Sequence, residues 1–164
     1  MSHPSLILRI DDRLIHGQVI VGWGSRYPIH TYVVVDNEIA EQEWERNLIT
    51  MAVPPDKSVK ILTIEQGVRY VQEHLSGKPV TMVLISSPFQ LQEMAAKGLQ
   101  PMAINVGGIH FKEGRKQFLN YLFLNPKEIT AFQELINQGF TFYCQDVPNN
   151  PKIDLQKVLQ RVKQ

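Results

Sequence analysis

Asp11, Asp12, Arg13 and His16 place two carboxylates, a guanidinium and an imidazole within six residues, and Gly17 follows directly. A neutral imidazole carries one unprotonated ring nitrogen that can act as a nucleophile, and a carboxylate beside it can select which nitrogen that is. The planar fork of donors on Arg13 suits a phosphate bidentately. The helical spacing of Val19, Ile20 and Trp23 starts just beyond. A helix beginning there would set His16 beside unpaired backbone N–H groups and a positive dipole end, which together favour an anion. Gly17 would let the backbone approach closely, and Arg9 stands where it could hold Asp11 or Asp12 in place. These parts describe a site that carries a phosphoryl group on histidine. The same composition also fits a salt-bridged structural turn, and the residues alone leave both readings open. Asp11, Asp12 and His16 could offer metal ligands, but no second histidine cluster has ligand spacing, so no metal is expected.

The elements that must position this loop are legible as alternating β-rich runs and helical stripes. Strands are expected at Leu6–Ile10, Tyr32–Val35, Val59–Leu62, Val80–Ile85, Met102–Ile104, Phe118–Leu124 and Phe140–Tyr143. Helix faces are expected on Val19, Ile20 and Trp23; on Ala40, Trp44, Leu48 and Met51; and on Ile64, Val68, Val71 and Leu75. Further helices are expected around Leu91, Met94 and Ala95, around Ile129, Phe132 and Ile136, and over Ile153–Val162. Thr63 with Gln66 and Ser87 with Gln90 have capping-box spacing. Ser87-Pro88, Asn125-Pro126 and Asn150-Pro151 read as helix starts, and Gly77, Gly98 and Gly139 as helix ends. The pattern predicts an α/β fold: an open, mostly parallel β-sheet of about seven strands with helices on both faces, with room for one antiparallel edge strand. Phe118–Leu124 followed closely by Gln138–Tyr143 is the candidate for that edge.

In such sheets ligands bind outside the carboxyl ends of the strands. Besides the first loop, those ends carry Asp36 and Asn37, Ser86 and Ser87, and Asn105, Gly107 and Gly108. Composition narrows the rest. The chain has 164 residues, 43% hydrophobic and 20% charged, which suits a single domain over 1–164. A net charge of +1 provides no general basic field for nucleic acid. The single Cys144 excludes an internal disulfide. Apolar runs are strand-sized, short of the ~20 residues of a membrane helix, and the N-terminus lacks a signal peptide's long apolar region. The expectation is a reduced, intracellular, soluble protein with no direct membrane insertion.

The segment from Arg9 to Val19, RIDDRLIHGQV, resembles the phosphorylation loop of the enzyme IIB component of the mannose/fructose/sorbose family of the bacterial sugar phosphotransferase system (PTS). Trp23, the run VVVDNEIA at Val33–Ala40 and the run INVGGIHF at Ile104–Phe111 resemble later signature positions, so the resemblance covers nearly the whole chain. It implies a phosphoryl-carrier enzyme, a protein-phosphohistidine–sugar phosphotransferase without a cofactor. The group would come from the phosphohistidine of a IIA domain or protein and pass to a sugar held by membrane IIC and IID subunits. The protein would then be cytoplasmic and peripherally associated with the membrane through IIC and IID. Carried over, His16 is the transient phosphohistidine, at Nδ1. Arg13 stabilises the transferring charge, and Asp11 orients the loop or the imidazole. Gly17, Ser86, Ser87, Asn105, Gly107 and Gly108 are candidates for the rest of the phosphate pocket. Many relatives have Asp-Glu after the second strand where this chain has Asn37-Glu38, a difference that touches docking or sugar class. The alternative within the same family is a regulatory phospho-accepting protein that moves no sugar.

The remaining chemistry-bearing residues read mostly as structural. His110 is weighed as an ordinary loop histidine against a neighbour of the pocket, and the run Lys112–Lys116 as a solvated loop against a contact for an acidic partner. His3, His30 and His74 read as surface, Cys144 as a packed side chain, and Trp23 and Trp44 as core.

Overall fold

The computed structural model describes residues 4–77 and 79–161. Seven strands form one sheet: β1 (Leu6–Ile10), β2 (Ile29–Val35), β3 (Ser58–Leu62), β4 (Val80–Ile85), β5 (Ala103–Val106), β8 (Thr141–Cys144) and β9 (Ile153–Asp154). Their order is β3-β2-β4-β1-β5-β8-β9, parallel throughout except for β9, which runs antiparallel to β8. β6 (Lys116–Leu119) and β7 (Leu122–Leu124) form a separate antiparallel pair.

β1 sits between β4 and β5. The chain leaves β1 toward β2 on one side and, after β4, crosses to β5 on the other. The direction of winding therefore switches at β1, and the loop at its carboxyl end opens into the crevice where α/β sheets bind ligands.

Strand alternation divides the core into two layers. Leu6, Leu8 and Ile10 face a layer completed by α3 (Ile64–Glu73), α4 (Pro88–Ala96), α5 (Pro126–Asn137) and α6 (Leu155–Arg161). Ile7, Val34, Met82 and Leu84 face the other layer, with Val19 and Trp23 from a π-helical segment, Gln18–Trp23. α1 (Asn37–Glu41) and α2 (Glu43–Ala52) cover the same face through Ile39 and Ile49. No helix among the described residues is long and apolar enough to cross a membrane.

Most of the capping signals are realised. Thr63 and Asn125 each close a full capping box, with Gln66 and Glu128 respectively. Ser87 caps α4, but the Gln90 side chain turns back to Ser86 instead of completing the box. Gly98 and Gly139, just past α4 and α5, have φ of +105° and +107°, where a side chain would be strained.

Several expectations need correction. Phe118–Leu124 is not one strand: it turns between Leu119 and Leu122 and pairs with itself as β6 and β7. The antiparallel edge is instead β9, so Ile153 and Asp154 are extended and the last helix begins at Leu155, not after Asn150-Pro151. Val162 and His3 lie outside the described residues. Trp44, Leu48 and Met51 are exposed, at 62%, 57% and 81%. Their spacing does mark one helix face. However, extended backbone at Gln42 separates α1 from α2, and α2 docks through Ile49, which leaves that face turned outward. Leu75 is also exposed, because α3 ends at Glu73.

Candidate functional site

Arg9 is the penultimate residue of β1 and points into the same layer as Ile7, where it is fully buried. Its guanidinium lies 5.2 Å from the centre of the Trp23 ring, and the Trp23 indole N–H donates to the Asp146 carbonyl at 2.8 Å. A buried guanidinium must spend its donors on acceptors. Arg9 donates to Asn105 Oδ1 at 2.6 Å, to the Gln145 and Asp146 carbonyls at 3.0 Å each, and to Asp11 Oδ2 at 2.9 Å. Gly107 lies against the guanidinium so closely that a Cβ there would overlap it.

Asp11 is fully buried as well. Burial alone would push its carboxyl group up. The hydrogen bond from His16, the charge of Arg9 and the Arg13 backbone N–H outweigh that and hold it below the usual aspartate value. His16 Nε2 lies 2.9 Å from Asp11 Oδ2. An ionised carboxylate can only accept, so Nε2 carries the proton. The neutral imidazole then has its lone pair on Nδ1, and the ring remains partly open to solvent.

The loop between them is tightly determined. Leu14 N–H donates to the Asp11 carbonyl, and Arg13 N–H to Asp11 Oδ1 at 3.0 Å. Leu14 adopts φ of +57°, a left-handed conformation that is strained for a branched side chain. It is held there by burial of that side chain in the layer of Val19 and Trp23. The carbonyl of His16 accepts from Val19 and Ile20, which starts the π-helical segment.

The expected site residues separate into two groups. Asp11, His16 and Gly108 converge: the Gly108 N–H approaches Asp11 Oδ2 at 3.4 Å. Arg13 is exposed beside them, with its guanidinium on Gln18 Oε1 at 3.0 Å and no carboxylate within ion-pair distance among the described residues. Gly17 is exposed with nothing within 4 Å of a Cβ position, so it leaves open space beside His16. Asn105 and Gly107 support Arg9 from behind. Ser86 and Ser87 are engaged elsewhere. Ser86 bonds Gln90 Oε1, Ser87 caps α4, and Gln90 Nε2 continues to Asp36 Oδ2 at 2.9 Å. Asp36 in turn caps α1. No group of three metal-ligating side chains occurs among the described residues.

Three features lie beyond what the residues announced. Gln145 and Asp146 follow β8 and cradle Arg9 through their carbonyls; their place at a strand end was the available signal. Gln18 is the resting partner of Arg13. Asp12 takes both its oxygens to His110, 98 residues on. His30 is exposed, His74 stacks on Tyr70, and burial pushes the Cys144 thiol up to about 12, as for a packed side chain.

Comparison with known proteins identifies the family and the fold. The family described as "PTS system sorbose subfamily IIB component" matches residues 5–164. The mannose-specific EIIAB component of Escherichia coli K12 is 29% identical over 95% of this chain, which spans only 48% of that longer protein. The N-acetylgalactosamine-specific enzyme IIB component 2 of the same organism is 29% identical, with 95% of this chain and 99% of the relative covered. The crystal structure of the IIBSor domain of the Klebsiella pneumoniae sorbose permease superposes with a TM-score of 0.83 at 26% identity, covering 96% of this chain and 98% of that one. A match over essentially all described residues, in sequence and in fold, places this chain in the sorbose-type IIB family of phosphotransferase-system components.

Proposed function

We propose that this chain carries a phosphoryl group on His16 Nδ1, taking it from the phosphohistidine of a IIA domain or protein and passing it to a sugar during uptake through membrane IIC and IID subunits. The observation that supports this most directly is the bond from His16 Nε2 to Asp11 Oδ2, because it leaves Nδ1 as the nucleophilic nitrogen. The Nδ1–P bond forms as the donor's N–P bond breaks, and no proton has to move, since Nε2–H stays on Asp11. Asp11 also faces the positive charge that the ring acquires on attack. Arg13, anchored only to a neutral amide, can swing its fork onto the phosphoryl oxygens over the open space at Gly17. The donor is itself a phosphohistidine, so the transfer requires no nucleotide. On this reading the protein works on the cytoplasmic side, docked to IIC and IID.

The test is incubation with a phosphorylated IIA protein. One acid-labile phosphate per chain is expected, with nitrogen-15 NMR placing it on Nδ1. Normal stoichiometry in His16→Ala, or phosphate on Nε2, would overturn the assignment.

A further inference from the structure

The loop after β1 supplies the aspartates of two aspartate–histidine pairs, and the proposed reaction has so far used one. Asp12, adjacent to Asp11, accepts the His110 backbone N–H on Oδ2 at 2.8 Å and pairs with His110 Nδ1 through Oδ1 at 2.6 Å. Because a carboxylate only accepts, Nδ1 carries the proton, and in the neutral ring Nε2 is the unprotonated nitrogen, on a side chain 45% exposed. The backbone around it is gripped from several sides. Arg115, itself forked onto buried Glu128, donates to the His110 carbonyl at 2.7 Å, and Ile109 bonds to Tyr121 and Phe123. Packing does not require such control over a half-exposed imidazole.

The two pairs also share a floor. Gly108 offers its N–H to Asp11 and its carbonyl to the Asp12 N–H, and a Cβ on it would come within 2.8 Å of the His110 ring. His110 therefore stands beside the His16 dyad across a single glycine.

We propose that His110 is the proton acceptor in the second half of the reaction, delivery of the phosphoryl group from His16 to a sugar hydroxyl. This inference rests on the phosphoryl-carrier reading above. Loading His16 from another phosphohistidine releases no proton, but delivery to a hydroxyl does. The first dyad is poorly placed to take that proton while the group departs: His16 Nδ1 holds the phosphorus, and Asp11 is buried with both oxygens already accepting hydrogen bonds. In delivery the sugar oxygen forms the O–P bond and the Nδ1–P bond breaks, its electron pair returning to Nδ1. The hydroxyl proton passes to His110 Nε2, Nδ1–H remains on Asp12, and the exposed ring then releases the proton to solvent.

The experiment separates the two half-reactions. Wild-type and His110→Ala proteins are loaded from phosphorylated IIA. They are then mixed with membrane vesicles carrying IIC and IID and with mannose, sorbose or N-acetylgalactosamine. His110→Ala is expected to lower delivery relative to loading by about 10²-fold, the scale of one lost proton acceptor. Added imidazole should restore part of it, which a merely structural role would not allow. Asp12→Asn is expected to lower the same ratio by a smaller factor. Delivery by His110→Ala at the wild-type rate would overturn this inference alone and assign the proton to the membrane partner. A wild-type protein that loads but delivers to none of the three sugars would overturn both this inference and the transport reading.

Discussion

Arg9 and Asp11, two residues apart, meet as an ion pair at 2.9 Å with both side chains fully buried, and the same carboxylate oxygen accepts the hydrogen bond from His16 Nε2–H. A buried pair of this kind is weak evidence for stability, since desolvation offsets much of the attraction. Its consequence here is orientation: the guanidinium fixes the carboxylate, and the carboxylate fixes the imidazole.

Asp11→Asn should therefore damage chemistry and stability together. The amide no longer enforces the Nε2–H tautomer, so phosphoryl uptake from IIA should fall roughly 10²- to 10⁴-fold. Leaving Arg9 without its counter-charge should cost about 3–5 kcal/mol of folding stability. Uptake rates and urea denaturation of the same preparation test both; uptake within twofold of wild type would remove the orienting role.

Acid should act on the same pair. The Asp11 carboxyl group is held below its ordinary value of 3.8, so the unfolded chain binds its proton more readily than the native one. The stability it contributes is fully present above that value and is lost as pH falls through the lower, native one. Unfolding free energy measured against pH should show an acid limb that is shallower in Asp11→Asn. Parallel curves for the two proteins would rule this linkage out.

Two glycines in the site should respond oppositely to alanine. A Cβ on Gly107 overlaps the Arg9 guanidinium, and Gly107→Ala should destabilise by about 1–3 kcal/mol as Arg9 is displaced. Gly17 has an ordinary φ of −54° and nothing within 4 Å of a Cβ. Gly17→Ala should be neutral or stabilise by about 0.4–1 kcal/mol through the unfolded state. Equal denaturation midpoints for the two variants would contradict the packing described.

Arg13 should separate function from folding. Its side chain is exposed and rests on Gln18, so Arg13→Ala should change stability by no more than about 0.5 kcal/mol. Loss of a charge on the transferring group should slow phosphoryl transfer roughly 10²-fold, with only partial recovery in Arg13→Lys, which lacks the bidentate fork. Rapid-quench kinetics in both directions, from IIA and back to it, would expose unchanged rates and so remove the role.

Local chemistry made much of this protein legible before its structure. Strand–helix alternation, the capping pair at Thr63, the helix start at Asn125-Pro126, and the crowding of Asp11, Arg13 and His16 into one loop depend on near neighbours, which sequence spacing reports directly. Tertiary structure alone decided which face of α2 turns inward, because the periodicity of Trp44, Leu48 and Met51 is the same whether that face meets the core or solvent. It also decided the partners. Arg9 could have held either aspartate; in the structure Asp11 meets Arg9 and His16, and Asp12 pairs with His110. Parallel strands bring loops distant in sequence to one edge of the sheet, so Asn105, Gly107, Gly108, His110, Gln145 and Asp146 reach the first loop only once β1, β5 and β8 lie side by side.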